Sequence, residues 1–209
     1  MLITEIKMLD KRKGLVYIDY ERAFSLYKSE IRSLKIKENE NLSKEVYDVI
    51  IKEILPKRCL TRAGFLLEKS DKTEKDLRDK LKQGYFPEDI IDITINKLKD
   101  AGYLNDRRYA DNYIRYNIKS KSVAKIKKYL ITKGVDKNVI QESIDNYGIE
   151  LEQEGFVIRE LQYSLIEKEF KKKHIEEKIE DKTLLNKVIS SMLRKGFEYD
   201  DIMHVYESL

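Results

Sequence analysis

The sequence predicts a mostly α-helical fold: three tandem three-helix repeats behind a small N-terminal β-hairpin or meander. Three observations carry this. Apolar residues alternate with a period of two near the N-terminus and recur with helical spacing from Ser43 onward. A helix, a Lys-Gly or Gln-Gly corner, an apolar residue and a second helix follow one another three times. Charged residues make up 38% of the 209 positions and there are only two prolines, which suits long, solvated, amphipathic helices. With 41% hydrophobic residues and a regular period, the chain is not of the disordered class.

Residues 1–40 form the β-rich element. Leu2, Thr4, Ile6 and Met8 alternate with Ile3, Glu5 and Lys7, a strand pattern. Lys13-Gly14 marks a turn, 15–18 a second short strand, 19–22 a second turn and 23–26 a third strand. A short helix comes next over 27–36 and a loop over 37–41. A connecting helix within 41–56 carries Val46, Val49, Ile50 and Ile54 as its apolar stripe. Pro56 breaks or kinks it, because proline removes an amide donor and clashes with the preceding turn.

The three repeats are assigned to 57–102, 103–148 and 149–209. Their leading helices fall at 57–69, 105–118 and about 150–172, and their corners at Gly84, Gly134 and Gly196. An apolar residue stands three before each glycine (Leu81, Ile131, Leu193), one directly after it (Tyr85, Val135, Phe197) and one six after it (Ile90, Ile140, Ile202). Glycine stops the first helix, the next residue staples the corner, and the isoleucine faces the first helix from the second. Pro87 suits the first position of a helix and Asp136 an N-cap. The glycines lie 50 and then 62 residues apart, which puts an insertion in the third repeat, within the charged run 167–182.

The junction Gly102-Tyr103-Leu104-Asn105-Asp106-Arg107-Arg108-Tyr109-Ala110 reads as helix, loop, helix. Gly102 takes the left-handed position that ends one helix, Asn105 or Asp106 caps the next, and Tyr103 and Leu104 tuck into the core. The chain beyond this junction is strongly basic. Residues 107–133 hold nine Lys or Arg against one acid, Asp111, a net of +8 in a chain whose total is +4. Charge concentrated in this way suggests a polyanionic partner.

Arg108, Arg115 and Lys119 fall within about 40° of one another on a helical wheel. Lys121, Lys125 and Lys128 form a similar stripe on the next helix. Like charges at these spacings repel, so a face without interleaved acids favours binding over folding. With Arg107, Lys127 and Lys133, these make nine candidate partner-binding residues. Tyr109, Tyr113 and Tyr116 share the i, i+4, i+7 spacing and are expected to pack in the core rather than stack on bases.

Other chemistry is sparse. The one cysteine, Cys59, excludes an intrachain disulfide and reads as a small core residue in a reducing compartment. His174 and His204 are isolated, with no metal-ligand spacing, and the charged run 167–173 reads as a solvated helix end. There is no G-x-x-x-x-G-K-[ST] phosphate loop, no basic-then-apolar leader at the start and no apolar run of about 20 residues. The expectation is a cytoplasmic, monomeric, non-enzymatic protein with no cofactor, no metal and no membrane segment.

The 102–110 motif, with Lys-Gly corners downstream and Lys69-Ser70 then Glu74-Lys75-Asp76-Leu77-Arg78 upstream, resembles the RecX regulatory proteins. The resemblance is strong over about 60–147 and looser in the third repeat, and the β segment is similar to one carried by some members. The family often has an acidic residue where Arg107 stands. The resemblance implies a non-enzymatic regulator whose partner is the RecA filament on single-stranded DNA. Such proteins lie in the filament's helical groove, span protomers and suppress ATP hydrolysis, strand exchange and co-protease activity. A stand-alone helix-turn-helix-like nucleic-acid-binding protein, with weak direct DNA contact, is the alternative, and a structural adaptor a third. The helix over 122–133 offers chiefly Lys, which suits phosphates or acidic side chains rather than base edges.

Overall fold

In the computed structural model, which describes every residue except Glu176 and Glu180, the N-terminal alternation folds as a three-stranded antiparallel meander. Its strands are β1 (Ile3–Met8), β2 (Lys13–Ile18) and β3 (Glu21–Tyr27). Asp19 and Tyr20, both with positive φ, make the two-residue loop between β2 and β3, the geometry whose twist matches paired strands. A register shift between Ile3 and Glu5 breaks the predicted alternation, so that Ile3 is buried and Ile6 packs beside it.

The chain divides into two units, Met1–Asn105 and Asp106–Leu209. In the first, the sheet leads through α1 (Lys28–Ser33) to α2 (Lys44–Val49), which Ser43 caps by accepting from the Val46 amide. A π-helical turn at Ile50–Ile54 joins α2 to α3 (Leu55–Lys69). Pro56 therefore does not break the path. It sits at the start of α3, and the wider π turn ahead of it absorbs the missing amide donor. The first repeat consists of α3, α4 (Glu74–Lys82, capped by Thr73) and α5 (Glu88–Asp100). Sheet and repeat share one core: Val16, Phe24 and Leu26 pack in the same cluster as Cys59, Leu77, Leu81 and Ile95.

The second unit holds two further repeats, each with its own core. One is α6 (Asp106–Asn117), α7 (Val123–Thr132) and α8 (Lys137–Gln153), built around Ile114, Ile126, Leu130 and Ile144. The other is α9 (Ile158–Lys171), α10 (Lys182–Arg194) and α11 (Tyr199–Glu207), built around Phe170, Val188, Met192 and Ile202. Gln162 stitches them, accepting from the Val123 amide at 3.1 Å and donating to the Ile118 carbonyl at 3.5 Å. The segment between α9 and α10 is the long connection of this unit. The insertion predicted over 167–182 includes Glu176 and Glu180, which lie outside the described residues.

The corners repeat, with the first one residue off the predicted register. Gly134 and Gly196 are left-handed, with φ of 84° and 85°, whereas in the first repeat the left-handed residue is Tyr85, with φ of 60°, and not Gly84. In all three the left-handed residue donates to the carbonyl three back and the next residue to the carbonyl five back. The second of these bonds are Phe86 to Leu81, Val135 to Leu130 and Phe197 to Met192, at 3.4, 3.1 and 3.2 Å. With Tyr85 set against Gly134 and Gly196, the buried positions align: Leu81, Leu130 and Met192 four before, Phe86, Val135 and Phe197 one after, Ile91, Ile140 and Ile202 six after. The N-caps Pro87, Asp136 and Glu198 align two after, so Pro87 caps α5 rather than opening it. Ile131 and Leu193, the apolar residues three before Gly134 and Gly196, are 43% and 44% exposed, and the buried positions are one residue earlier.

Candidate partner-binding surface

The nine predicted basic residues fall into three groups. Arg107 and Arg115, on α6, each reach a carboxylate on α8 that lies 35 residues further along the chain. Arg107 pairs with Glu142, and Arg115 donates to Glu150 at 2.7 Å while its guanidinium lies 5.0 Å from the centre of the Tyr147 ring. Hydrogen bonding to Glu142 raises the Arg107 pKa, so the residue stays charged. Acidic neighbours absent along the sequence are thus supplied across the helix pair. This corrects the expectation that the arginine face of α6 has no counter-charge.

Three more cations lie against the repeat itself. Lys121 donates to the Tyr113 hydroxyl at 2.9 Å and lies over its ring, Lys127 donates to Gln141 at 2.7 Å, and Lys133 lies 5.6 Å from the centre of the Tyr129 ring. Arg108, Lys119, Lys125 and Lys128 are exposed, on α6, the turn after it and α7. Lys119 lies past the end of α6 at Asn117, so it extends the face from the turn and does not complete a helical stripe. Among the described residues no carboxylate forms an ion pair with Lys119, Lys125 or Lys128.

Tyr109 and Tyr113 do pack, partly buried against the second repeat's core. Tyr113 stacks on Tyr129 with ring centres 4.2 Å apart, and the Tyr109 and Tyr129 hydroxyls meet at 3.2 Å. Tyr116 is 85% exposed and Tyr103 68%, so neither is the core residue predicted; the junction buries Leu104 alone of its apolar pair. Gly102 is left-handed and ends α5 as expected. Cys59 is fully buried, and burial pushes its thiol pKa up, as fits a packing residue. His204 lies against Tyr163, and His174 is the left-handed residue that ends α9. The charged run 167–173 includes the buried Phe170 and a half-buried Glu169, so it is only partly solvated.

Among the described residues there is no group of His, Cys, Asp or Glu able to hold a metal ion, and no helix long and apolar enough to cross a membrane.

A second basic surface, in the first unit, is one that the sequence order hides. Lys57, Arg58 and Arg62 on α3 are joined by Lys13 from β2 and Lys80 from α4 around one cleft. A local charge count of α3 finds three of the five. Only the fold adds Lys13 and Lys80.

The chain matches the family model for the second three-helix domain of RecX over residues 105–144 and that for the first over 59–98. It is 32% identical over 198 residues to the "Regulatory protein RecX" of Clostridium perfringens (strain 13 / Type A), covering 94% of this chain and 89% of that one. The "Regulatory protein RecX" of Clostridium botulinum (strain Eklund 17B / Type B) is 31% identical over 203 residues, 96% of this chain and 92% of that one. A solved structure, "Crystal structure of regulatory protein RecX", has the same fold with a TM-score of 0.63 at 22% identity, covering 99% of this chain and 98% of that one. The RecX structure from Lactobacillus salivarius gives 0.60 at 29% identity, covering 74% of this chain and 96% of that one.

Proposed function

We propose that this chain, which belongs to the RecX family of regulatory proteins, binds the RecA filament on single-stranded DNA and restrains it. It lies in the filament's helical groove as a monomer and lowers RecA's recombinase, ATPase and co-protease activities without chemistry of its own. Its place of action is the cytoplasm. Tandem repetition supports the reading, because like units following one another suit a partner that is itself a helical array. The observation that carries the contact surface is the exposed set Arg108, Lys119, Lys125 and Lys128 on the second repeat, whose neighbours Arg107 and Arg115 are held by Glu142 and Glu150. Lysines in exposed positions meet phosphates or acidic side chains without reading bases.

The test replaces Arg108, Lys125 and Lys128 together by Ala. The substituted side chains are exposed, so helicity should be kept. Filament binding and inhibition of RecA ATPase should both fall. If the residues meet phosphates, the slope of log affinity against log salt should drop by roughly 0.7 for each lost single-strand contact. Inhibition that is unchanged in a folded triple variant would refute the assigned surface. A parallel loss of naked-DNA and filament binding, with no disproportionate loss of inhibition, would favour a stand-alone DNA-binding protein instead.

A further inference from the structure

We propose that the cleft between the β-meander and the first repeat is a single-strand nucleic-acid site, separate from the basic surface of the second repeat. The cleft has a volume of about 850 Å³ and is rimmed by Lys13, Lys57, Arg58, Arg62, Lys80 and Phe65. Among the described residues, no Asp or Glu lines it.

Its five cations have different duties. Arg58 builds the wall: it pairs with Glu30 at 2.9 Å, donates to the Ser25 carbonyl at 3.1 Å and lies 4.1 Å from the centre of the Tyr27 ring. Lys13 reaches in from the sheet and donates to the Gly84 carbonyl at 3.0 Å. Burial, and then the like charge of Arg58, draws the Lys13 pKa below the ordinary lysine value. Lys57, Arg62 and Lys80 are exposed, and among the described residues no carboxylate forms an ion pair with any of them. Three exposed cations stand beside two fixed ones, and the nearby Glu30 carboxylate is already committed to Arg58. The result is a concave surface of net positive charge, and a low-dielectric wall focuses such a field on an anion.

Three features point to the occupant. The cations reach the cleft from three elements, β2, α3 and α4, which suits phosphates spaced along a chain. Among the described residues no oriented set of free backbone amides, the usual grip for a compact terminal phosphate, faces the cleft. The reason is that α3 continues directly from the π turn and α4 presents its C-terminal end there. Aromatic rings stand among the cations. Phe65 is 46% exposed on α3, with Lys69 at 4.3 Å and Arg62 at 5.6 Å from its centre, and Tyr27 is 45% exposed. Cations that track a backbone, next to rings on which any base can stack, are the elements of sequence-tolerant single-strand binding. An acidic peptide would match the charge but has no use for the rings.

The experiment needs no RecA, so its outcome is independent of the filament reading. Binding of a fluorescein-labelled oligothymidylate to the full chain is followed by anisotropy across a salt series. The variant Lys57→Ala/Arg62→Ala/Lys80→Ala should bind at least ten-fold more weakly at low salt, with a salt slope lower by about 2, at roughly 0.7 per lost contact. Phe65→Ala should weaken binding about five-fold or more and leave the slope unchanged, because stacking releases no counterions. Circular dichroism checks that both variants keep their helices. Unchanged oligonucleotide binding by the triple variant would overturn the proposal. So would a loss produced only by Lys125→Ala/Lys128→Ala on the second repeat. Displacement by polyglutamate as effective as by oligothymidylate, with Phe65→Ala silent, would overturn it in favour of an acidic peptide.

Discussion

At the corner of the first repeat, the carbonyl just before the left-handed residue belongs to Gly84 and accepts from the Lys13 ammonium at 3.0 Å and the Ser25 hydroxyl at 3.1 Å. At the corner of the third repeat, the equivalent carbonyl belongs to Lys195 and accepts from the Ser122 hydroxyl at 2.5 Å. Helix ends leave carbonyls without intrahelical partners, and here each is taken by whatever precedes the repeat within its own unit: the β-meander in one, the second repeat in the other. The meander therefore stands to the first repeat as the second repeat stands to the third. It caps a stack whose next layer would otherwise lack a neighbour, and it does so with different chemistry at the same atom.

The two corners also use glycine differently, and the largest expected effects come from this. Gly196 is left-handed, and a Cβ there would sit 2.9 Å from Ser122 Oγ and 3.0 Å from Ala124 Cβ. Gly196→Ala should cost on the order of 3 kcal/mol, the sum of a left-handed penalty and overpacking between repeats. Gly134→Ala, at the matching left-handed corner, should cost about 1–2 kcal/mol. Urea denaturation followed by circular dichroism measures both. Equal costs would mean that close approach between the second and third repeats contributes nothing. Gly84 has no positive φ, but its Cβ would meet the Leu81 carbonyl at 3.0 Å and the Phe86 ring at 3.1 Å. It supplies space, while Tyr85 carries the strained backbone.

The next effects separate the two donors. Ser122 caps α7 by accepting from the Lys125 amide at 3.3 Å as well as holding the Lys195 carbonyl, and it is buried. Ser122→Ala should cost about 2 kcal/mol, since a cap and a buried hydrogen bond go together. Ser25→Ala should cost about 1 kcal/mol, because Lys13 still serves the Gly84 carbonyl. The same denaturation series tests the order; a Ser25 variant as damaged as the Ser122 variant would break the parallel between meander and second repeat.

How much of this is legible in the sequence depends on the kind of signal each feature leaves. The period change, the helix–corner–helix plan and the left-handed Gly102 are local, and each can be read directly. The corner register slips in the first repeat when glycine is assumed to be the left-handed residue everywhere. Composition does not distinguish a glycine needed for φ from one needed for space, although the N-cap spacing that fixes Tyr85 is present in Pro87, Asp136 and Glu198. The basic face of α6 looks unbalanced in sequence for a related reason: Glu142 and Glu150 lie 35 residues downstream, and only α6–α8 packing brings them to Arg107 and Arg115. The cleft in the first unit leaves no compact signal, because two of its five cations come from β2 and α4.

The smallest expected effect is a pH dependence that again pairs the first repeat with the third. Glu169 on α9 holds both Lys195, the corner residue, and Lys172. Burial disfavours its charge, but hydrogen bonds from Lys195 and Lys172 outweigh this and its pKa lies below the ordinary carboxylate value of 4.5. Glu74 in the first turn of α4 is the counterpart. Burial again opposes its charge, and Lys99 and Arg78 outweigh it, so its pKa is lowered too. A carboxyl whose pKa is lower folded than unfolded stabilises the fold above the unfolded value, and that contribution is lost as pH falls through the folded value. Glu169→Gln should therefore loosen the third repeat at pH 7 and have little effect well below the carboxylate range, where Glu169 itself is protonated. Glu74→Gln should do the same to the first repeat. The lysines that hold these carboxylates, Lys195, Lys172 and Lys99, are solvent-exposed and screened, so each change is small beside the corner substitutions. Amide exchange resolves it by repeat: at neutral pH, protection should fall in α10 for one variant and in α5 for the other. A loss of equal size at both pH values would show that these carboxylates act through packing and not through charge.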